Sequence, residues 1–310
     1  MRTTFFAIAG VAAIAVVGIA APWLQFMLTL SVAKGFAALG VAVLLRAGLI
    51  SIGHAMFFAI GAYVVAFLGR DAGVSDFILL LVSATVVSGL AGLVVGAFMV
   101  RYRAIFFAML NLAVSMVLFS LLSKLYNVTG GTDGMRVVSP TFFGLAPGEQ
   151  AIDLILFLAC LALILVVGLL VHAYLKSPLG HALSAVHTNE VRLEYLSVPV
   201  GGVLLVAYVV SAALAGLGGA FAALTIGHVL PEMAFWTESG HLILVAALGG
   251  IGGVSGPFIG AIFLEIVHTI AASYTDAWSM IVGIALLVVI FFLPSGLYGL
   301  LNRKSKGAVA

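Results

Sequence analysis

Residues Val200 to Ile226 read VGGVLLVAYVVSAALAGLGGAFAALTI, without one charged side chain. A helix needs roughly 20 mostly apolar residues to cross the hydrocarbon core of a bilayer, so this stretch reads as a membrane span. Working outward, similar runs occupy 5–22, 28–45, 48–69, 77–100, 104–123, 151–173 and 279–297. Composition agrees: of 310 residues, 64% are hydrophobic and 8% charged, against about 25% charged in a soluble chain. Disorder, nucleic-acid binding and a cytosolic enzyme all fit poorly. The single Cys160 lies in an apolar run, so there is no disulfide framework. The expected fold is all-α, a polytopic membrane helix bundle of about eight full spans, forming one domain over 1–310.

Segment 241–272 is long enough for more than one helix, but 249–257 (GGIGGVSGP) interrupts it. The piece before the break is too short to cross alone. It reads as a broken, re-entrant helical hairpin that enters and leaves on one side. Charge placement supports that map. With the N-terminus in the cytoplasm, the inner side receives Arg2, Arg46, Arg101, Arg103, Lys176, Arg192, Arg303, Lys304 and Lys306, the last three in a basic tail over 302–310. The outer side receives only Arg70, Lys124 and Arg136, and both termini fall inside. A single crossing at 241–272 would put the basic tail outside. Ala20-Ala21 resembles a cleavage site, yet the small basic start and the further spans favour a retained first helix.

Two loops are longer than a bundle needs. The outer one, 124–150, contains NVTGGTDG from Asn127 to Gly134. The inner one, 176–199, opens with Ser177-Pro178, and its Leu179, Leu183, Val186, Leu193 and Leu196 fall near helical spacing. It reads as an amphipathic helix outside the bilayer. Surface helices are usually rich in Lys and Arg, and this one has only Arg192 between Lys176 and Pro199. A protein partner suits it better than a lipid surface, with Leu183 and Val186 expected as anchors and Glu190 and Arg192 at the rim.

No Gly-Lys dipeptide occurs, so no phosphate-binding P-loop can form. Glu265 and His268 resemble half of a di-metal Glu-x-x-His site, but no second copy is present. No catalytic residue, resident metal or cofactor is assigned. What remains is polarity within spans, which is costly and defaults to function. Lys34 reads as snorkelling toward the outer surface. Ser51, Gly53 and His54, with Gly252, Gly253 and Glu265, are the candidate translocation-path residues. Small residues there let backbones approach closely, and paired glycine-rich segments, here 48–63 and 247–263, often mark a substrate path.

Five stretches resemble one family: SIGHA from Ser51 with Gly61-Ala62-Tyr63, TGGTDG from Thr129, LAGLGGA from Leu214, LGGIGGVSGP from Leu248, and FLPSGL from Phe292. The chain is similar over about 28–300 to the M-type permease subunits of bacterial ABC importers for branched-chain amino acids. The resemblance implies a type II ABC importer-like fold and a multi-pass place in the bacterial inner membrane. It implies as partners an H-type permease, two cytoplasmic ATP-binding subunits that use the ATP, and a periplasmic solute-binding protein. It also makes Ser177 to Glu194 look like the cytoplasmic coupling helix, with Gly180, Leu183, Val186, Glu190 and Arg192 facing the ATPase. Where the family usually carries basic residues, this chain has His181, Ser184 and His187, and Ser295 replaces an Arg. Urea, short amides and small aromatic acids are alternative cargoes. In another class stands an ion-coupled secondary transporter, with Lys34, His54 or Glu265 carrying charge.

Overall fold

The computed structural model describes residues 2–142, 144, 145, 148–275, 277–293 and 296–299. The basic tail at 302–310 and Ser295 lie outside the described residues. The chain forms helices α1 (Arg2–Ala20), α2 (Gln25–Leu45), α3 (His54–Asp71), α4 (Phe77–Met99), α5 (Ala104–Lys124), the single turn α6 (Tyr126–Thr129), α7 (Glu149–Lys176), α8 (Pro178–Tyr195), α9 (Val200–Ile226), α10 (Trp236–Gly249), α11 (Gly256–Tyr274) and α12 (Trp278–Phe292). Two short strands, β1 (Met135–Arg136) and β2 (His228–Val229), pair antiparallel.

Among the described residues, six stretches are long and apolar enough to cross a membrane: Pro22–Leu45, Phe77–Met99, Ala104–Lys124, Ala151–Lys176, Val200–Ile226 and Gly256–Tyr274. In lipid every backbone polar group must be satisfied internally, which is why the apolar runs become helices. Outward faces carry side chains such as Val94, Ile105, Phe106 and Leu170, all well exposed. Such a surface suits hydrocarbon, not water.

Helix α9 is the hub, and small residues put it there. Gly219 lies against the backbone carbonyl of Phe58, and Gly61 on α3 against the backbone of Gly216. A Cβ at either glycine would meet main-chain atoms, which cannot rotate away. Close backbone approach at small residues is how helices associate where lipid removes the hydrophobic drive. Most of α2 is likewise buried, with Ala33, Ala37, Ala38 and Val41 fully enclosed. A helix apolar on all sides belongs inside a bundle.

Three sequence-read spans, 5–22, 48–69 and 279–297, correspond to α1, α3 and α12, which are not among the six. The 48–69 boundary moves most, because helix begins only at His54 and Gly48 sits at φ +74°. The start of α3 lies deep in the bundle: its Ala55 N–H donates to Ser239 Oγ near the start of α10 at 2.9 Å. Just before α10, the carbonyl of Ala234 accepts from Ser115 Oγ in the middle of α5. So α3 and α10 both begin at the level of the bundle's middle.

The broken hairpin has the expected interruption, at 250–255, between α10 and α11. The two helices run antiparallel: Gly249 lies against Gly256, and Gly260 against the carbonyl of Val245. Helix α10 has 14 residues, about 21 Å at 1.5 Å per residue, too short to cross alone. Its partner α11 has 19 and is long enough. A second interruption, the 3₁₀ turn Pro231–Ala234, precedes α10 and was not legible in advance.

The loop that follows α5 folds back onto the bundle. Met135 pairs with Val229 and Arg136 with His228, while Arg70 Nη1 donates to the carbonyl of Val128. In the TGGTDG stretch, Thr129 Oγ1 donates to Leu122 O at 2.6 Å, and Gly130, Gly131 and Gly134 all take positive φ. That motif shapes the loop's turns, which only glycine adopts without strain.

Candidate functional site

The sequence-read site residues separate into four places. Ser51 and His54 belong to a buried polar knot. His54 Nδ1 is 2.7 Å from Ser51 Oγ, and its Nε2 is 2.5 Å from Ser211 Oγ on α9. Hydroxyls donate or accept as needed, so a neutral imidazole is satisfied in either tautomer. Gly53 lies against the carbonyl of Asn111 on α5. Asn111 Nδ2 donates to Phe107 O at 2.7 Å, and its Oδ1 accepts from Tyr208 OH on α9. Ser51, His54, Asn111, Ser211 and Ser239 are all fully enclosed. The knot ties α3, α5, α9 and α10 together. Both ring nitrogens of His54 are taken up by buried hydroxyls from two segments, an arrangement that packs α3 against α9.

Removing one member of such a knot leaves its partners buried without hydrogen bonds, at about 1–3 kcal/mol each. His54→Leu orphans two serine hydroxyls, so the melting temperature in detergent should fall clearly, whereas His172→Leu on the half-buried face of α7 should leave it near wild type. Bulk at Gly53 does not simply obstruct a path, because it strikes the α5 main chain. Gly253 differs: its space is taken by the Tyr298 ring, a side chain that can swing.

Glu265 lies in the second place. Lys34 Nζ is 3.5 Å from Glu265 Oε2, and His268 Nδ1 is 3.7 Å from Glu265 Oε1. Glu265 is the central residue of α11. Lys34 stands nine residues from the start of α2 and eleven from its end, roughly 14 and 17 Å by helical rise. The snorkelling expected from sequence is therefore replaced by pairing, since α2 begins earlier than the span read at 28–45. Among the described residues, no three His, Cys, Asp or Glu side chains converge as a metal site would need.

Gly252 and Gly253 occupy the third place, the hairpin tip. Gly252 is exposed and Gly253 abuts Tyr298. They are not brought into contact with the knot.

The fourth place is α8. Pro178 at its first turn and Ser177 as cap start it, the Ser177 Oγ accepting from Gly180 N at 3.4 Å. Backbone at Asn189 is extended, and Asn189 Oδ1 caps the next turn by accepting from Arg192 N at 2.9 Å. Leu183, Val186 and Leu193 are buried in the chain's own core, together with residues of α7 and α9. The apolar stripe already has its groove, supplied by the bundle, so Leu183 and Val186 are not presented to a partner. Gly180 is buried against the carbonyls of Tyr174 and Leu175. Among the side chains α8 exposes are His181, Ser184, His187, Val191, Arg192 and Tyr195.

Glu190 faces inward to Arg103, in the loop before α5. Arg103 Nη2 is 2.6 Å from Glu190 Oε1, and Nε is 3.0 Å from Oε2. The hydrogen bonds and charge of Arg103 hold the Glu190 carboxyl below the ordinary carboxylate range. Its contribution is thus present above the unfolded value and lost as pH falls through the lower folded value. Both side chains are about one-third exposed, so solvent screening limits the effect to about 1 kcal/mol. A spin label at Ser184 should gain mobility as pH falls through the lowered Glu190 value, and Glu190→Gln should show that mobility at pH 7.

Sequence reasoning missed Ser211, Asn111, Tyr208, Ser239 and the pairing role of Arg103. Asn111 was findable, as an amide inside an apolar span.

A family model described as "Branched-chain amino acid transport system / permease component" matches residues 23–291. The chain is 28% identical over 280 residues to the high-affinity branched-chain amino acid transport system permease protein LivM of Salmonella typhimurium and of Escherichia coli, covering 84% of this chain and 66% of each relative. It therefore spans just under two thirds of the LivM proteins' length. To the corresponding permease protein LivH of Escherichia coli it is 27% identical over 153 residues, 49% of this chain and 47% of that one. No solved structure matches. With a match across most of an all-helical, lipid-suited bundle, the chain belongs to the branched-chain amino acid transport system permease family.

Proposed function

We propose that this chain is a transmembrane permease subunit of an ATP-driven importer, forming half of the path for branched-chain or other hydrophobic amino acids by alternating access. The carrying observation is the family match over 23–291 together with the LivM alignment over 84% of the chain. The missing P-loop sequence fits a subunit whose ATP is hydrolysed by others. Its partners are a second, H-type permease, two cytoplasmic ATP-binding subunits and a periplasmic solute-binding protein, assembled in the bacterial inner membrane. The architecture is type II-like with eight spans and the α10–α11 hairpin, and both termini are cytoplasmic. No cofactor is held by this chain.

Helix α8 is the ATPase docking element through the side chains it exposes, Ser184, Val191, Arg192 and Tyr195, while Leu183, Val186 and Gly180 anchor it to the bundle. The knot of Ser51, Gly53 and His54 positions the path, and Glu265 and the tip at Gly252 and Gly253 border it. Topology supplies the test. Cysteines at Ser184 and Thr132, both exposed, in a Cys160-free background should label oppositely with an impermeant thiol reagent. Labelling of both from outside intact cells would refute the map.

A further inference from the structure

We infer that the Lys34–Glu265 ion pair is a recognition point for the charged backbone of a zwitterionic α-amino acid, the ammonium of Lys34 meeting its carboxylate and the carboxylate of Glu265 its ammonium. This rests on the importer reading above and assigns residues to recognition of its cargo.

The pair stands near the centre of two span-length helices. It is not sealed: the Lys34 side chain is 24% exposed, and His268 beside it 38%. A partly exposed charge at that depth does not face hydrocarbon; it faces protein or a water-filled cavity. The neighbouring α10 shows which side is open. Helix α10 packs against both α2 and α11, and its Thr237, Leu244 and Ala247, at helical spacing with the half-buried His241, are exposed. Leu244 and Ala247 give α10 an exposed apolar strip of the kind an amino acid with an apolar side chain requires.

At 3.5 Å between Nζ and Oε2, the pair is close yet looser than a tight charge-assisted bond, which falls near 2.7–2.9 Å. Exchange of partners with a zwitterion conserves every charge contact. Neutral urea or an amide could hydrogen-bond to both groups but would not replace the ionic contact the pair gives up. An aromatic monoanion would use Lys34 and be repelled by Glu265.

The test uses proteoliposomes holding the chain with its permease, ATPase and binding-protein partners, and radiolabelled L-leucine, urea and benzoate as probes. The wild-type complex should accumulate leucine and neither of the others. Lys34→Met/Glu265→Leu removes both charges without leaving one unpaired, a replacement folds often tolerate. It should still assemble, judged by co-purification with its partner subunits, while leucine uptake falls at least tenfold. Lys34→Glu/Glu265→Lys keeps a pair with reversed polarity and should lose uptake to a similar degree. Leucine uptake within twofold of wild type by either assembled variant overturns the inference, as does wild-type preference for urea or benzoate. Failure of both variants to assemble assigns the pair to holding the fold, and also overturns it. No ATP-dependent uptake of any probe by wild type refutes the importer reading instead.

Discussion

Gly61→Leu and Gly219→Leu should each abolish the folded chain, the largest stability losses expected anywhere in the bundle. Both glycines place α3 against α9 with main chain on the far side: Gly61 meets the backbone of Gly216, and Gly219 that of Phe58. Overpacking a core ordinarily costs about 1–3 kcal/mol because neighbouring side chains rearrange. Here whole helices must separate, which also breaks contacts of His54 with Ser211. The loss should exceed about 3 kcal/mol, a large part of the about 5–15 kcal/mol a fold has. Gly201→Leu, where a Cβ meets nothing within 4 Å, is the control. Yield of monodisperse protein on size exclusion in detergent is the readout. Normal yield of Gly219→Leu would mean that the helices are not in backbone contact.

Leu183→Asp should release α8 from the membrane body. Leu183 has no exposed surface and packs in the same core as residues of α7 and α9. Loss of a buried leucine costs about 2–5 kcal/mol, and an unpaired buried carboxylate adds several more unless it takes up a proton. Proteolysis within 177–199 should rise steeply. Val191→Asp and Tyr195→Asp contrast with it, since those side chains are 58% and 86% exposed. They should leave proteolysis and thermal stability near wild type and still reduce co-purification of the ATP-binding subunits at least tenfold. If Leu183→Asp leaves α8 as protected as in wild type, the helix is not held by its own bundle.

Most spans were legible because a bilayer imposes one strong rule, and runs such as 77–100 and 200–226 obey it along their whole length. The rule blurs at 46–53 and 227–235, where main chain leaves the helix within protein; only the surrounding helices satisfy it there. The apolar stripe of α8 was visible, but periodicity names a face without naming what covers it. Leu183 and Val186 thus appeared free for a partner until α7 and α9 were seen beneath them. Lys34 and Glu265 were each visible as costly charges. Their pairing joins residues 231 positions apart, which spacing cannot reveal. The knot was half-visible for the same reason: Ser51 and His54 are neighbours, while Ser211 and Asn111 come from other helices.

Transport by the reconstituted assembly addresses the central claim most directly. Proteoliposomes carrying this chain with the permease, ATP-binding and solute-binding partners should accumulate L-leucine only when ATP is supplied on the ATPase side, and accumulation should vanish when this chain is omitted. Leucine uptake by this chain alone, driven by a proton or sodium gradient without ATP, would contradict the claim and identify an ion-coupled carrier.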